Sequence, residues 1–255
     1  MTNRVKEAVS DTIEFLKKHG SRDHPDYAYY ILILVSFVIF VIGTNLFVEF
    51  SADVSGKALN KFDDRITEFI TSFRTPELNN FFQFVTDLGD VYAYLIATTI
   101  AAAFFFFKLR NKRFIFQLLA VIIISGLANI ALKRAFDRAR PDLEHLVVVK
   151  TLSYPSGHAM SAMAFYGFLI YLVFHIKMHK LLRLFLVTLF SALIFFIGIS
   201  RIYLGVHFPS DVVGGFIAGL IWVAFCIILF NIIALLRERK RRFNGSLDVE
   251  ENLEV

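Results

Sequence analysis

Residues 200–211, Ser-Arg-Ile-Tyr-Leu-Gly-Val-His-Phe-Pro-Ser-Asp, separate two long apolar runs of the chain. Both runs are long enough to cross about 30 Å of hydrocarbon as α-helices, so this stretch predicts a loop between two membrane spans. The loop contains a guanidinium (Arg201), an imidazole (His207) and a carboxylate (Asp211). Such groups are costly near lipid and tend to mark functional sites there. We therefore expect the chemistry of the protein to lie at this end of the two spans.

The composition as a whole indicates a membrane protein. Of 255 residues, 56% are hydrophobic and only 19% are charged, whereas about a quarter of a soluble domain is charged. The net charge of +5 does not indicate nucleic-acid binding, because much of it stands in short clusters beside apolar runs. The single cysteine, Cys226, lies inside an apolar run, which excludes an intrachain disulfide and a cysteine-based zinc site.

Six apolar runs predict an all-α polytopic membrane protein, with six transmembrane helices in one bundle. The predicted spans are 27–47, 91–107, 114–132, 159–176, 184–200 and 212–236. No small-residue cleavage site follows the first run, so we expect it to be retained as a span. The chain then divides into a basic N-terminal segment (1–26), a membrane domain (27–236) and a tail (237–255) that we expect to be disordered from Asn244.

The connection between the first two spans contains an amphipathic segment. Apolar residues recur at helical spacing from Phe62 to Phe73, with charged residues between them. This pattern is typical of a helix lying in the membrane interface, and Pro76 marks its end. We interpret it as a connector in preference to a substrate gate, and 78–84 as a second short interfacial segment.

The distribution of Lys and Arg orients the spans. Seventeen of the 27 Lys and Arg stand in the termini and in the second and fourth loops, and 10 stand in the other three loops. Because cytoplasmic segments carry the excess, we expect both termini in the cytoplasm. The third and fifth loops then lie on the outer face of the cytoplasmic (inner) membrane.

Three polar motifs fall at the ends of these two outer loops. They are Lys133, six residues, Arg140-Pro141; then Pro155-Ser156-Gly157-His158; then Ser200-Arg201, five residues, His207, three residues, Asp211. Arg140 and Arg201 offer planar forks suited to phosphate oxygens, and Lys133 adds a third cation. Ser156 and Gly157 are typical of a helix start, where free N–H groups attract an anion. The set predicts a positive cage for a phosphoryl group.

His207 and Asp211 predict a nucleophile with its orienting acid. Asp211 can accept from one imidazole nitrogen and leave the other free to attack phosphorus. His158 is then available to protonate the leaving oxygen as general acid. The result is a two-step displacement through a phosphohistidine. Because three cations already supply positive charge, we expect neither a metal nor another cofactor.

These motifs resemble the signature of the type 2 phosphatidic acid phosphatase superfamily of integral membrane lipid phosphatases. All three are complete and in order from Lys133 to Asp211, and the six-span layout extends the resemblance over 27–236. The resemblance implies a metal-independent phosphohistidine mechanism and a site on the outer face. It also implies these phosphate ligands: Lys133, Arg140, Ser156, Gly157, His158 and Arg201. The small size and compact loops resemble bacterial members acting on undecaprenyl diphosphate and phosphatidylglycerophosphate.

We therefore expect a phosphatase that removes the terminal phosphate of a lipid phosphate or diphosphate at the outer leaflet. A phosphatidic acid phosphatase of broad specificity is one alternative. A non-enzymatic anion-binding transporter is another. Broken helices and internal repeats would be expected there, and neither is evident in the sequence. A transporter would also not require His207 paired with Asp211. A haloperoxidase is a third alternative, but its chemistry would not explain six runs that are long enough to span a membrane.

Other polar and small residues receive structural interpretations. Arg134 and Arg138 are assigned to headgroup or surface roles in preference to phosphate binding. Gly215 and Gly219 predict close helix packing, with a dimer interface as a weaker alternative, and the oligomeric state stays open. The acidic residues of the third loop do not form a metal cluster, which disfavours a two-metal phosphatase. They are Asp137, Asp142 and Glu144.

Overall fold

The computed structural model describes residues 26–149 and 151–253, with 245–253 described by their backbone alone. The predicted basic segment lies outside these residues, apart from Asp26. Within the described chain every regular element is helical, which confirms the all-α class. The helices are α1 (Tyr27–Ser55), α2 (Asn60–Thr71), α3 (Pro76–Asp87), α4 (Val91–Ala103), α5 (Lys112–Phe136), α6 (Gly157–His175), α7 (Lys180–Tyr203) and α8 (Pro209–Leu253). A π-helical turn, Phe104–Lys108, continues α4.

Six of these helices are long and apolar enough to cross a membrane, namely α1, α4 with its π-helical turn, α5, α6, α7 and α8. Many of their large apolar side chains are exposed, among them Leu34, Ile96, Phe107 and Phe116. An apolar surface of this extent is unfavourable in water and suits contact with lipid chains. The six predicted spans are confirmed.

The last helix corrects the prediction for the tail. It begins at Pro209 and continues to Leu253, so the expectation of a disordered tail from Asn244 is wrong. Arg239 and Arg242 lie about one turn apart on this helix, and both bind the Asp26 carboxylate. These charges are therefore anchored as part of a helix.

The amphipathic connector forms α2 and α3, as predicted. Thr75 caps α3 by accepting a hydrogen bond from the Leu78 amide, and Pro76 occupies the first turn. The helix α2 packs against α7, but its buried residues are the polar Asp63 and Thr67. Its phenylalanines are largely exposed, whereas Ile70 packs against the buried clusters of Ile202 and Tyr203. The inward side of this helix therefore combines polar and apolar contacts.

Contacts divide the chain into two compact units, Phe40–Val223 and the remaining terminal parts. Within Phe40–Val223, α6 packs against both α5 and α7. The start of α8 also approaches it closely. A Cβ atom on Gly215 would lie 2.7 Å from the Ser156 carbonyl oxygen, and one on Gly219 would lie 2.6 Å from the Met160 carbonyl oxygen. The close packing predicted for these two glycines is confirmed.

Candidate active site

A cavity of about 380 Å³ lies within Phe40–Val223 and gathers residues from all three motifs. Its lining includes Lys133, Arg140, Gly157, His158, Arg201 and His207. The other two predicted site residues, Ser156 and Asp211, are completely buried and do not line the cavity. Backbone contact joins their motifs directly, because the Ser156 N–H donates to the Asp211 carbonyl oxygen at 2.9 Å.

The turn between α7 and α8 positions His207. Gly205 has φ +77°, a conformation that costs glycine little and other residues more. The N–H groups of Val206 and His207 then both donate to the Arg201 carbonyl oxygen, each at 3.2 Å. Pro209 begins α8 two residues later. The imidazole is thereby held between two helix ends, with its side chain 2% exposed.

Two neighbours assign the tautomer of His207. Its Nε2 lies 3.3 Å from Nη1 of Arg140, and a guanidinium can only donate, so Nε2 carries the lone pair. Its Nδ1 lies 3.3 Å from Oδ2 of Asp211 and carries the hydrogen. Burial lowers the pKa of His207 to about 3 although Asp211 opposes the shift. The ring is therefore neutral near pH 7, with Nε2 available as a nucleophile.

Asp211 is anchored by several donors besides His207. Its Oδ2 accepts from the Ser153 hydroxyl at 2.5 Å and from the Phe208 amide at 2.8 Å. Its Oδ1 accepts from Nη1 of Arg138 at 2.7 Å. The sequence interpretation of Arg138 as a headgroup or surface residue is wrong, because its guanidinium points inward to this buried carboxylate. Arg134 is exposed, in line with the surface role given to it.

The three predicted cations of the cage already contact the surrounding backbone or a hydroxyl. Arg140 donates from Nε to the Thr151 carbonyl oxygen at 2.7 Å and from Nη1 to that of Val206 at 2.6 Å. Lys133 donates to the Leu152 carbonyl oxygen. Arg201 donates from Nη1 to the Thr86 hydroxyl at 2.6 Å. These contacts hold the three positive charges at the wall of the cavity.

Three predicted phosphate ligands carry a buried polar atom that has no hydrogen-bond partner among the residues described. These atoms are Ser156 Oγ, His158 Nε2 and Arg201 Nε. Buried polar groups are nearly always paired, and each exception needs an explanation. All three belong to motifs assigned from the sequence to an anion. Of these residues, His158 and Arg201 line the cavity, where an oxyanion would lie within their reach.

The start of α6 places His158 beside Asp90, a residue whose sequence position predicts only a cap for α4. Its Nε2 lies 2.8 Å from Oδ1 of Asp90. The two groups do not meet in hydrogen-bond geometry, so we treat the contact as electrostatic. The imidazole of His158 holds the pKa of Asp90 below its ordinary value. Gly89 permits the approach, because a Cβ there would lie 3.0 Å from Cδ2 of His158.

Asp90 stands at the N-cap position of α4, but its side chain makes no cap hydrogen bond. It lines the cavity together with Asp87 and Thr86. An acidic residue before a helix is the ordinary sequence pattern of a cap. No feature of the local sequence distinguishes this one from any other.

The acidic residues of the third loop play no part in the cavity wall. Asp137, Asp142 and Glu144 are exposed and do not line it. In the described part of the chain no three His, Cys, Asp or Glu side chains are grouped so as to hold a metal ion.

Known proteins resemble this chain in sequence and in fold. Residues 114–233 match the model of the PAP2 superfamily. Phosphatidylglycerophosphatase B of Bacillus subtilis is 32% identical over 198 residues, which cover 77% of this chain and 94% of the relative. The chain belongs to the PAP2 superfamily. The resemblance drawn from the three motifs is confirmed.

Two solved structures of superfamily members resemble the fold. A transmembrane PAP2-type phosphatidylglycerolphosphate phosphatase from Bacillus subtilis has a TM-score of 0.70 at 32% identity, covering 75% of this chain and 95% of that one. LpxE of Aquifex aeolicus has a TM-score of 0.54 at 26% identity, covering 65% and 94%. Lipid A 1-phosphatase of Rhizobium etli is 30% identical over 112 residues, 40% of this chain and 44% of the relative. The protein is a multi-pass membrane lipid phosphatase.

Proposed function

We propose that the protein hydrolyses the terminal phosphate of a lipid phosphate through a phosphohistidine at His207, on the outer face of the membrane. The observation that supports this most directly is the arrangement of the imidazole. Its Nδ1 faces Asp211, while its Nε2 faces the cationic cavity at Arg140. A non-enzymatic anion site needs the cations but has no use for a buried, oriented imidazole.

In the first step Nε2 of His207 attacks phosphorus. The N–P bond forms as the bond from phosphorus to the lipid oxygen breaks, and the leaving oxygen takes a proton from His158. Asp211 stabilises the positive charge that develops on the imidazole. Arg140, Arg201 and Lys133 stabilise the negative charge on the non-bridging oxygens.

In the second step a water molecule attacks the phosphorus of the phosphohistidine. His158, neutral after the first step, takes the proton of this water, and the N–P bond breaks to release inorganic phosphate. His207 returns to its neutral form with the Nε2 lone pair free. The residues of the cavity begin and end the cycle in the same protonation states.

The cavity favours a monophosphate with a hydroxylated headgroup. Asp87 and Asp90 also line the cavity, and their negative charge is opposite to that of the three cations. Their carboxylates can accept hydrogen bonds from glycerol hydroxyls and would repel a second phosphate. Phosphatidylglycerophosphatase B, which matches 77% of this chain, is named for phosphatidylglycerophosphate. We infer that phosphatidylglycerophosphate is preferred over undecaprenyl diphosphate and over phosphatidic acid.

Phosphate release measured in detergent tests this function. The purified protein, with a chelator present, is given phosphatidylglycerophosphate, undecaprenyl diphosphate, phosphatidic acid and a soluble phosphate ester. We expect phosphatidylglycerophosphate to be hydrolysed fastest and His207→Ala to be inactive. A fully active His207→Ala variant would overturn the mechanism, and a faster rate on undecaprenyl diphosphate would overturn the headgroup assignment.

The outer-face location has its own test. Leu143 is 44% exposed in the loop between α5 and α6, whereas Cys226 is completely buried. A Leu143→Cys variant in intact cells should react with a membrane-impermeant thiol reagent, and the parent protein should not. Labelling that requires lysis would place the site on the cytoplasmic side.

A further inference from the structure

The helix α2 contains a carboxylate buried on its inward side. Asp63 is 1% exposed, while Phe62 and Phe69 on the same helix are 45% and 62% exposed. Removing a carboxylate from water is costly unless cations and hydrogen-bond donors compensate it. A helix that serves only as an interfacial connector has no need for this arrangement.

The partners of Asp63 come from the beginning of α8 and from the loop after α5. Its Oδ1 accepts from the Ser210 amide at 2.8 Å, and its Oδ2 accepts from the Ser210 hydroxyl at 2.6 Å. Oδ2 also accepts from Nη2 of Arg138 at 2.8 Å. Ser210 directly precedes Asp211, so α2 is bonded to the turn that carries the orienting carboxylate.

Arg138 connects the two buried carboxylates. While Nη2 binds Asp63, Nη1 binds Oδ1 of Asp211 at 2.7 Å and the Ser210 hydroxyl at 2.7 Å. The guanidinium also lies over the ring of Phe208, 4.4 Å from its centroid. Its planar fork is thus fixed on several sides, and it cannot follow one carboxylate without losing the other.

We propose that Asp63 is a positioning residue for phosphoryl transfer, which holds Arg138 and through it fixes Asp211 against His207. This inference rests on the proposed role of His207 as nucleophile. Asp63 also balances charge. With Asp63 present, Arg138 is shared between two carboxylates, and Asp211 keeps its negative charge for the imidazole as the N–P bond forms. Without Asp63, the whole positive charge of the Arg138 guanidinium would be directed at Asp211.

Substitution of Asp63 tests the proposal. Asp63→Asn keeps the size of the side chain and removes its charge. We expect kcat to fall on the order of tenfold to a hundredfold, the range seen for outer partners of catalytic ligands, with KM within about twofold because no substrate contact changes. Asp64→Asn is the matched control, since Asp64 is the exposed neighbour on the same helix, and it should keep the parent kcat.

Double substitution separates positioning from a purely structural ion pair. Arg138→Gln leaves Asp63 buried without its cation and should lower both Tm and kcat. Asp63→Asn combined with Arg138→Gln should regain Tm but keep the low kcat of Arg138→Gln alone, because the two residues act in series. If Asp63→Asn alone does not fold, the kcat of this double variant tests the proposal in its place.

Two results would overturn the inference. One is a parent kcat in folded Asp63→Asn, and the other is full recovery of kcat in the double variant. Either would show that the pair only anchors α2. Failure of the proposed function has a different outcome, since the parent protein would then be inactive or His207→Ala would be active.

Discussion

Two histidines that line the cavity are each paired with a carboxylate, and the surroundings of the two pairs differ sharply. In the pair of His207 and Asp211 the side chains are 2% and 0% exposed, and Asp211 binds three further donors. In the pair of His158 and Asp90 the side chains are 22% and 50% exposed, and the contact lacks hydrogen-bond geometry. A nucleophile must keep one orientation and one tautomer, whereas a general acid must exchange its proton with the substrate and with water. The rigid pair suits the first task. The second pair lines the cavity with both of its residues and suits the second task.

The largest effect should come from breaking the rigid pair. Asp211→Asn removes the acceptor that holds the His207 tautomer, and kcat should fall on the order of 10⁴-fold, as for the orienting acid of a serine protease triad. Phosphate release from phosphatidylglycerophosphate measures it. Asp142→Asn, on the exposed loop, is the control. A fall of less than tenfold would show that Asp211 does not orient the nucleophile.

Removal of the general acid should have the next largest effect, and it should depend on the leaving group. His158→Ala should lower kcat on the lipid substrate about 10²- to 10⁴-fold. An aryl phosphate, whose leaving oxygen needs no proton, should recover much of the loss. His207→Ala should show no such recovery. Equal losses on both substrates would contradict the acid role of His158.

Asp90→Asn tests the pair of His158 and Asp90. Because the Asp90 carboxylate contacts His158 without a fixed hydrogen bond, its loss should lower kcat about tenfold, far less than Asp211→Asn. Steady-state kinetics of the two asparagine variants, purified side by side, make the measurement. An equal loss in both would show that the two pairs are held with the same stringency.

The smallest effect concerns stability at acid pH. Burial lowers the pKa of His207 to about 3, below the ordinary value of about 6.5 in the unfolded chain. Its contribution to stability is therefore complete above pH 6.5 and is lost progressively as the pH falls towards 3. The parent Tm should drop more between pH 7.5 and 4.5 than that of His207→Gln. Equal drops in Tm would show that His207 takes up a proton in the folded protein as readily as in the unfolded chain.

The parts of the site that follow from sequence are those with local causes. Asp211 four residues after His207, with Pro209 opening a helix, brings the two together through the chain itself. The helix start at Gly157 is equally local, because it depends on a few backbone angles. Arg138 was misassigned for the opposite reason. Its partners, Asp63 and Asp211, are 75 and 73 residues away, and an arginine near a membrane surface is usually solvated.

By itself the sequence determined the number of spans, the order of the motifs and the membership of the family. The thickness of the hydrocarbon layer sets how long an apolar run must be to span it. The spacings within the motifs are fixed along the chain. Only the tertiary structure decided that Asp90 faces His158 and that Asp63 reaches Asp211 through Arg138. The energy of a buried charge depends on which partners surround it, and those partners meet only after the helices have packed.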